Sequence, residues 1–355
     1  MSVYLLTFSV IFFCFVLSNV FRFARDVRIV FGSIAFLYFL IFVGLRHEVG
    51  TDWESYLIYY ESLGDFSFDE IFSLNPGYQL LQFISKYFGL GIYGVNTLCA
   101  AIFLYGFHRA IKTFELNIPI SYMVAFPYII MIVVSGYSRQ GVALGLIFAF
   151  IECVYTKKLL LSFLFFILAV SFHETAIIGS ILYNYIVRGN KKLFLSIIII
   201  LFLLIYFVYM LFEARFEHFM NAYIEKRMSS TGAYIRIFLN ILAGLFLFLY
   251  SKKWKVKFDD YSFWIFFWYV SLFFLIFAIT TNATTVADRL ILYFYPLQII
   301  VFSRIIQLPS EKSLKFAIFL FVILMYFAVM MIWLLFSVHK DFWLPYGNLL
   351  FEVLR

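Results

Sequence analysis

Charge is what this sequence has least of. Only 13% of its 355 residues are Asp, Glu, Lys or Arg, while 65% are hydrophobic; a soluble domain averages roughly 25% charged and 45–50% apolar. No soluble fold of this size hides so much apolar surface, so lipid must be the solvent for much of the chain. Cysteine is scarce as well. Cys14, Cys99 and Cys153 are odd in number and each lies inside an apolar stretch, which argues against a disulfide framework and for core packing. There is no zinc-ligand spacing, no Walker loop and no GxGxxG after a strand. Those absences leave no nucleotide site, and they argue against ATP-driven transport by this chain alone. No basic region precedes the first apolar run, which therefore reads as a spanning helix and not as a cleaved signal. Internal repeats and low-complexity linkers are missing, and one transmembrane domain over residues 1–355 is expected.

What is present is apolar and aromatic, with 50 Phe and 26 Tyr, a load that suits packed helices and interfacial belts. Apolar runs fall at roughly 3–20, 29–45, 91–108, 119–135, 141–156, 159–172, 175–187, 193–212, 234–250, 261–280, 290–306 and 316–337. A span needs about 20 apolar residues and shorter ones are tolerated. The expectation is an all-α polytopic integral membrane protein of about twelve transmembrane helices.

The net charge of +7 has a membrane explanation, so no nucleic-acid partner is implied. Seventeen of the 27 Lys and Arg residues fall in alternate short connections, at 22–28, 109–112, 157–158, 188–192, 252–257 and 304–315. The positive-inside rule places that side in the cytoplasm and both termini outside. Acids crowd the longest outer loop, about 46–90, with Glu48, Asp52, Glu54, Glu61, Asp65, Asp69 and Glu70. A second outer loop, about 213–233, has the mixed polar and aromatic character of an interfacial helix.

Two segments have awkward lengths. Between the basic clusters at 157–158 and 188–192, a continuous helix over 159–187 would be about 44 Å long, too long for a hydrocarbon core of about 30 Å. Basic residues at both ends also demand an even number of crossings. The solution is a hairpin of two short helices turning near Ser171-Phe172-His173-Glu174. The stretch from Pro119 to Thr156 predicts a similar hairpin, broken at Ser135-Gly136-Tyr137-Ser138-Arg139-Gln140-Gly141. Both turns point outward, in a place where irregular backbone at membrane depth is tolerated only if it lines a protein cavity.

Ionisable groups at membrane depth are costly and are functional candidates by default. Arg46 and His47 end the second span, Arg139 caps the fifth, and His173 and Glu174 sit in the short hairpin. Arg236 begins the ninth span, and Asp288 and Arg289 begin the eleventh. Several arginines on one face suit a polyanion, because guanidinium forks grip phosphate bidentately and stay charged. Asp52, His173 and Glu174 offer a proton acceptor. Plainer readings stand beside these. Arg46 and Arg289 also fit snorkelling anchors, His173 a packing histidine, and Asp52 and Glu174 helix caps. The acids of 61–70 fit a solvated face, and His108, Glu152, His218 and His339 read as structural.

Three strings, in order, resemble the EpsG-type branch of bacterial polysaccharide polymerases, which is similar to the Wzy O-antigen polymerases. They are Arg46-x-x-x-Gly50-Thr51-Asp52-Trp53-x-x-Tyr56, Ser138-Arg139-Gln140 and Phe172-His173-Glu174-Thr175-Ala176. The resemblance covers roughly residues 30–300. It departs from the usual pattern at Trp53, where Tyr is commoner. It implies a glycosyltransferase that joins undecaprenyl-pyrophosphate-linked repeat units at the outer face of the bacterial inner membrane, with no nucleotide sugar, no metal and no cofactor. In that reading His173, Asp52 and Arg139 are catalytic, and Arg46, Arg289, Trp53, Tyr56 and Glu174 bind substrate. The lipid bilayer is a partner, with a chain-length regulator and a flippase as possible others. The rival readings are a lipid-linked oligosaccharide flippase, which would want charges along a central pathway and two matching halves; an O-acyltransferase, which would want a His on the cytoplasmic side; and a glycan ligase, which shares the donor chemistry.

Overall fold

The computed structural model of the chain describes residues 1–20, 25–64, 75–183, 230 and 232–353. The expected span over 193–212, the latter part of 175–187, most of the outer loop 213–233, the basic cluster 188–192 and the acids Asp65, Asp69 and Glu70 lie outside the described residues.

The regular structure of the described residues is helical, apart from one short two-stranded ladder. In chain order the elements used below are α1 (Ser2–Val20), α2 (Arg25–Gly44), β1 (Arg46–His47), α3 (Trp53–Glu61), α4 (Pro76–Tyr87), α5 (Gly91–Thr113), α6 (Ile118–Ala125), α7 (Ser138–Tyr155), α8 (Leu159–Phe172), α9 (Ala233–Leu249), α10 (Ser251–Lys257), α11 (Tyr261–Thr281), α12 (Thr284–Ile291), α13 (Pro296–Ile305), α14 (Lys312–Phe336) and β2 (Gly347–Asn348). By length and composition, α7, α11 and α14 are long and apolar enough to cross a membrane. The bent pairs α9–α10 and Thr284–Phe294 with α13 raise the number to as many as five, and shorter apolar helices fill Ser2–Leu17, Val30–Gly44, Ile118–Val134 and Leu159–Phe172. The chain is therefore an all-α protein with several candidate spans; the number twelve belongs to the sequence reading alone.

Both predicted breaks coincide with changes of backbone. α6 runs on as a π-helix over Phe126–Val134, with Pro127 in its first turn. Proline supplies no N–H and its ring crowds the preceding turn, so the regular ladder cannot continue. After the break at Tyr137, α7 starts afresh at Ser138. The second break is at His173. α8 ends at Phe172 and a 3-10 helix occupies Glu174–Leu182, so the chain resumes after that break as 3-10 and not as α.

The chain divides into two compact units. One comprises Met1–Ala149, Ile167–Glu174 and Phe302–Arg355, and the other Phe150–Phe166 and Thr175–Val301. In the first, α2 packs along α5, α1 against α6, and α14 against α6 and the π-helix. Among apolar helices in lipid, association comes from close packing, because the tails are as apolar as the side chains. Gly106 and Gly145 supply one such approach: a Cβ at Gly106 would lie 1.8 Å from the Gly145 carbonyl oxygen. Aromatic rings supply others. Phe39 stacks on Tyr122 at 4.5 Å and Phe42 on Tyr346 at 4.7 Å; pairs of this kind contribute about 0.5–1.5 kcal/mol beyond burial. In the second unit α9, α11 and α12 pack on one another.

The segment after α14 returns to the start of the chain. β2 pairs antiparallel with β1, Arg46 opposite Asn348 and His47 opposite Gly347. Trp343 is fully buried. Its Nε1 donates to the Met131 carbonyl at 2.7 Å, and its own carbonyl accepts from the Tyr4 hydroxyl at 3.0 Å.

Candidate active site

The site grows from the loop between β1 and α3. Glu48 and Gly50 both have positive φ, +53° and +106°, which turns the chain sharply after β1. The Gly50 N–H donates to the Phe342 carbonyl at 2.8 Å and its carbonyl accepts from the Trp53 N–H at 3.2 Å. A Cβ on Gly50 would stand 2.6 Å from the Gly136 Cα, and one on Gly136 would stand 2.3 Å from the Trp343 ring. The loop carrying Thr51 and Asp52 is thus pressed against the break that carries Arg139.

Asp52 stands at the N-cap position of α3 but makes no side-chain cap. Its carboxylate instead accepts from the Thr51 hydroxyl at 3.2 Å and, at a long 3.4 Å, from the Tyr56 hydroxyl one turn on. The Arg139 guanidinium lies 5.6 Å from the centre of the Tyr56 ring, a cation–π distance. Burial pushes the Tyr56 phenol up to about 12, with Arg139 pulling the other way and Asp52 adding to the rise. At neutral pH that phenol is a proton donor between a carboxylate and a cation.

Arg46 is 1% exposed, so it does not snorkel. Its guanidinium donates to the Val43 carbonyl at 2.8 Å, Asn96 Oδ1 at 2.9 Å and the Ser138 hydroxyl at 2.7 Å. It ties α2 to α5 and to the first residue of α7, beside Arg139. Its Nε and Asn96 Nδ2 are buried with no partner among the described residues. Trp53, 7% exposed, packs edge-on to His47 at 5.8 Å and near Tyr93 at 6.0 Å. The Tyr93 hydroxyl and His47 Nδ1 share a hydrogen bond of 2.6 Å.

A small, partly open pocket lies beside Arg139, lined also by Tyr56, Tyr59, Asn75, Tyr78, Gln79 and Gln82. Tyr78 Oη, Gln79 Oε1 and Gln82 Nε2 are buried with no hydrogen-bond partner among the described residues. A buried polar atom left unpaired costs about 1–3 kcal/mol, so three in one pocket wall call for polar partners, water among them. None of these three residues is a candidate on sequence reasoning, which takes 46–90 as a loop. The signal was there: Asn75, Tyr78, Gln79 and Gln82 follow the i, i+3, i+4, i+7 spacing of one helix face.

His173 is buried, its N–H bonded to the Ala169 carbonyl at 3.1 Å; Glu174 is exposed. Neither lines the pocket. The turn that holds them nevertheless abuts the pocket helix. A Cβ on Gly77, in the first turn of α4, would lie 2.6 Å from the Phe172 ring and 2.7 Å from the Ser171 hydroxyl. The pocket, Asp52, Arg139, Arg46 and the His173 turn all belong to the first unit.

The remaining candidates belong to the second unit. Arg236 forms an ion pair with Asp288, and Ser230 bridges them, donating to Asp288 at 3.1 Å and accepting from Arg236 at 2.8 Å. Arg289 lies in the last turn of the same short helix, α12, half-buried. Of the residues read as structural, His108 shares a 2.6 Å hydrogen bond with Tyr122, and Glu152 pairs with Lys158 at 3.1 Å. His339 is exposed, and His218 lies outside the described residues. No group of three or more His, Cys, Asp or Glu side chains gathers as metal ligands among the described residues.

No curated protein and no solved structure matches the chain. A family model described as the EpsG family matches residues 29–348, which takes in the Asp52 loop, the Arg139 break, the pocket helix, the His173 turn and the closing strand β2. With most of its length matched, the chain belongs to the EpsG family.

Proposed function

We propose that this membrane protein is a polysaccharide polymerase that joins oligosaccharide repeat units carried on undecaprenyl pyrophosphate, at the outer face of the bacterial inner membrane. Family membership supports the polysaccharide class. The observation that carries the chemistry is Arg139, a cation lining a pocket in which Tyr78 Oη, Gln79 Oε1 and Gln82 Nε2 lack partners among the described residues.

The reaction moves the growing chain from its carrier to an incoming unit. An acceptor hydroxyl oxygen attacks the donor's anomeric carbon, the bond from that carbon to the phosphate oxygen breaks, and the pyrophosphate leaves with the electron pair. Arg139 meets the charge that develops on the leaving phosphate, and a fork already in place there favours the transition state over the ground state. The hydroxyl proton passes to a base. Asp52 is the carboxylate that Tyr56 links to Arg139, with His173 as the second choice. Tyr56 holds the Asp52 carboxylate and the guanidinium on either side of one phenol. Arg46 acts as a positioning residue through Ser138. Trp53 stiffens the loop from within its aromatic cluster, and Glu174 contributes from the exposed start of the 3-10 helix. Arg289 is a further phosphate-binding cation on the sequence reading. A flippase to deliver units and a regulator of chain length are the partners this reaction calls for.

Electrophoresis of surface glycan from a deletion strain tests the proposal. Single repeat units in place of polymer are expected. Total loss of repeat units would indicate a flippase, and polymer retained on the carrier lipid would indicate a ligase; either would overturn it.

A further inference from the structure

The helix α4 is inside out. Its polar residues Gln79, Gln82 and Ser85 are buried. Its exposed residues are apolar or aromatic, with Lys86 as the exception. Leu80, Ile84, Tyr87 and the next residue, Phe88, follow the i, i+4, i+7, i+8 spacing of one helix face, and Tyr87 and Phe88 are 85% and 66% exposed. A surface helix of a soluble protein turns its apolar face to the core, so water is the wrong solvent for the outer face of α4. The surrounding sequence agrees: Lys86 is the only Asp, Glu, Lys or Arg between Glu70 and Arg109.

Both ends of α4 are held at the ends of apolar helices. Its first turn meets Phe172, the last residue of α8, at Gly77. Its last turn meets the start of α5, where the Ser85 hydroxyl donates to the Gly91 carbonyl at 2.6 Å. On the charge-based topology α8 arrives at the outer face of the membrane and α5 departs from it. A helix of 12 residues is about 18 Å long. Fixed at both ends to that rim, it lies along the membrane surface and does not stand out from it.

A contiguous exposed apolar patch marks a membrane or protein interaction site. Here exposed Leu90 carries the patch to the first turn of α5, into the apolar run 91–108. We infer that α4 is an interfacial helix whose Leu80, Ile84, Tyr87 and Phe88 face is sunk among the lipids of the outer leaflet, at the boundary of headgroups and acyl chains. Tyr87 and Phe88 then belong to the aromatic belt. The opposite face of α4 lines the pocket beside Arg139, so one helix diameter, about 10 Å, separates that pocket from lipid. A phosphate carried on a lipid reaches it without leaving the headgroup layer. That last point rests on the polymerase reading; the seat of α4 in the bilayer does not.

The test places a nitroxide on the full-length protein at one introduced cysteine at a time: Leu80→Cys, Ile84→Cys, Tyr87→Cys and, at the exposed end of α3, Glu61→Cys. Each variant is reconstituted in vesicles of phosphatidylethanolamine and phosphatidylglycerol. The native cysteines are buried or half-buried, and wild type labelled in parallel sets the background. Collision with oxygen, which partitions into lipid, is compared with collision with a water-soluble nickel chelate. Labels at 80, 84 and 87 should favour oxygen and report a depth of about 5–10 Å into the headgroup–acyl boundary, and the label at 61 should favour nickel. Labels at 80, 84 and 87 that favour nickel as strongly as 61 would overturn the inference, because α4 would stand in water. Labels shielded from both reagents would overturn it too, because protein, another segment or a second copy, would cover the face. None of these readings needs activity, so a deletion strain that kept its polymer would remove the polymerase reading and leave them unchanged.

Discussion

Gly50→Ala is the substitution whose cost is most fully set by the structure. Two terms act against the new methyl group. The backbone at φ +106° is one that residues with a Cβ rarely adopt, a strain of about 1–3 kcal/mol. The Cβ would also meet the Gly136 Cα at 2.6 Å and the Ser135 carbonyl oxygen at 3.0 Å. Both contacts are backbone, so no rotamer change relieves them, and overpacking of this kind costs about 1–3 kcal/mol. The sum is about 2–6 kcal/mol, and at about 2–4 °C per kcal/mol for a domain of 150–250 residues the melting temperature should fall by about 4 °C or more. Gly89→Ala separates the two terms. Gly89 has φ +64° and nothing within 4 Å of its would-be Cβ, so only the left-handed strain remains, about 1–2 kcal/mol. Tryptophan-fluorescence melting of both variants in detergent makes the comparison. Gly50→Ala should melt well below Gly89→Ala, and glycan from cells carrying it should shift toward single repeat units. Equal melting temperatures for the two would refute the claim that Gly50 pins the Asp52 loop against the Arg139 break.

The remaining predictions concern the charges. Arg139→Lys should be nearly as defective in polymerisation as Arg139→Ala, at normal membrane abundance, since an ammonium cannot replace a planar fork; wild-type polymer from the Lys variant would show that the fork is unnecessary. Arg46→Ala should behave oppositely, losing about 2–5 kcal/mol of stability through a cavity and the orphaned Asn96 and Ser138 oxygens; an unchanged melting temperature would count against its structural tie. His173→Ala should accumulate normally and polymerise poorly, whereas full activity with Asp52→Asn inactive would assign the base to the carboxylate. Cysteines at Gly64 and Lys255 test orientation with an impermeant maleimide on intact spheroplasts: position 64 should react and position 255 should not, and the reverse would move the site to the cytoplasm.

The apolar runs placed most described helices within a few residues, because a continuous apolar stretch bounded by polar residues leaves a chain in lipid little other choice. The run over 261–280 is the helix Tyr261–Thr281, and that over 316–337 lies within a few residues of Lys312–Phe336. The break at 135–141 was legible from its Ser and Gly. Arg46 was legible as important but not as buried, because its partners Asn96 and Ser138 come 50 and 92 residues later and local sequence carries no mark of them. The polar face of α4 is not legible in the sequence, because uncharged glutamines and a tyrosine in a segment already rich in acids carry no mark of burial. The seat of Trp343 against Gly136 depends on positions too far apart in the chain for any local pattern to join them.

That distance also sets a timetable. Strand β1 finds its hydrogen-bonding partner in residues 347–348, and the loop after it finds one at Phe342, both about 300 residues further along. At the usual 5–20 residues per second of synthesis, the first half of this arrangement waits about 15–60 s for the second. During that interval Arg46 can already settle on Asn96 and Ser138, but Gly50 has nothing to receive its N–H and Gly136 nothing to cover it. The chain can therefore be inserted, helical and still incompetent, with its reaction centre closed only when the segment that passes β1 has been delivered. A protein stalled or trimmed before residue 342 should be found in the membrane in good yield and make no polymer.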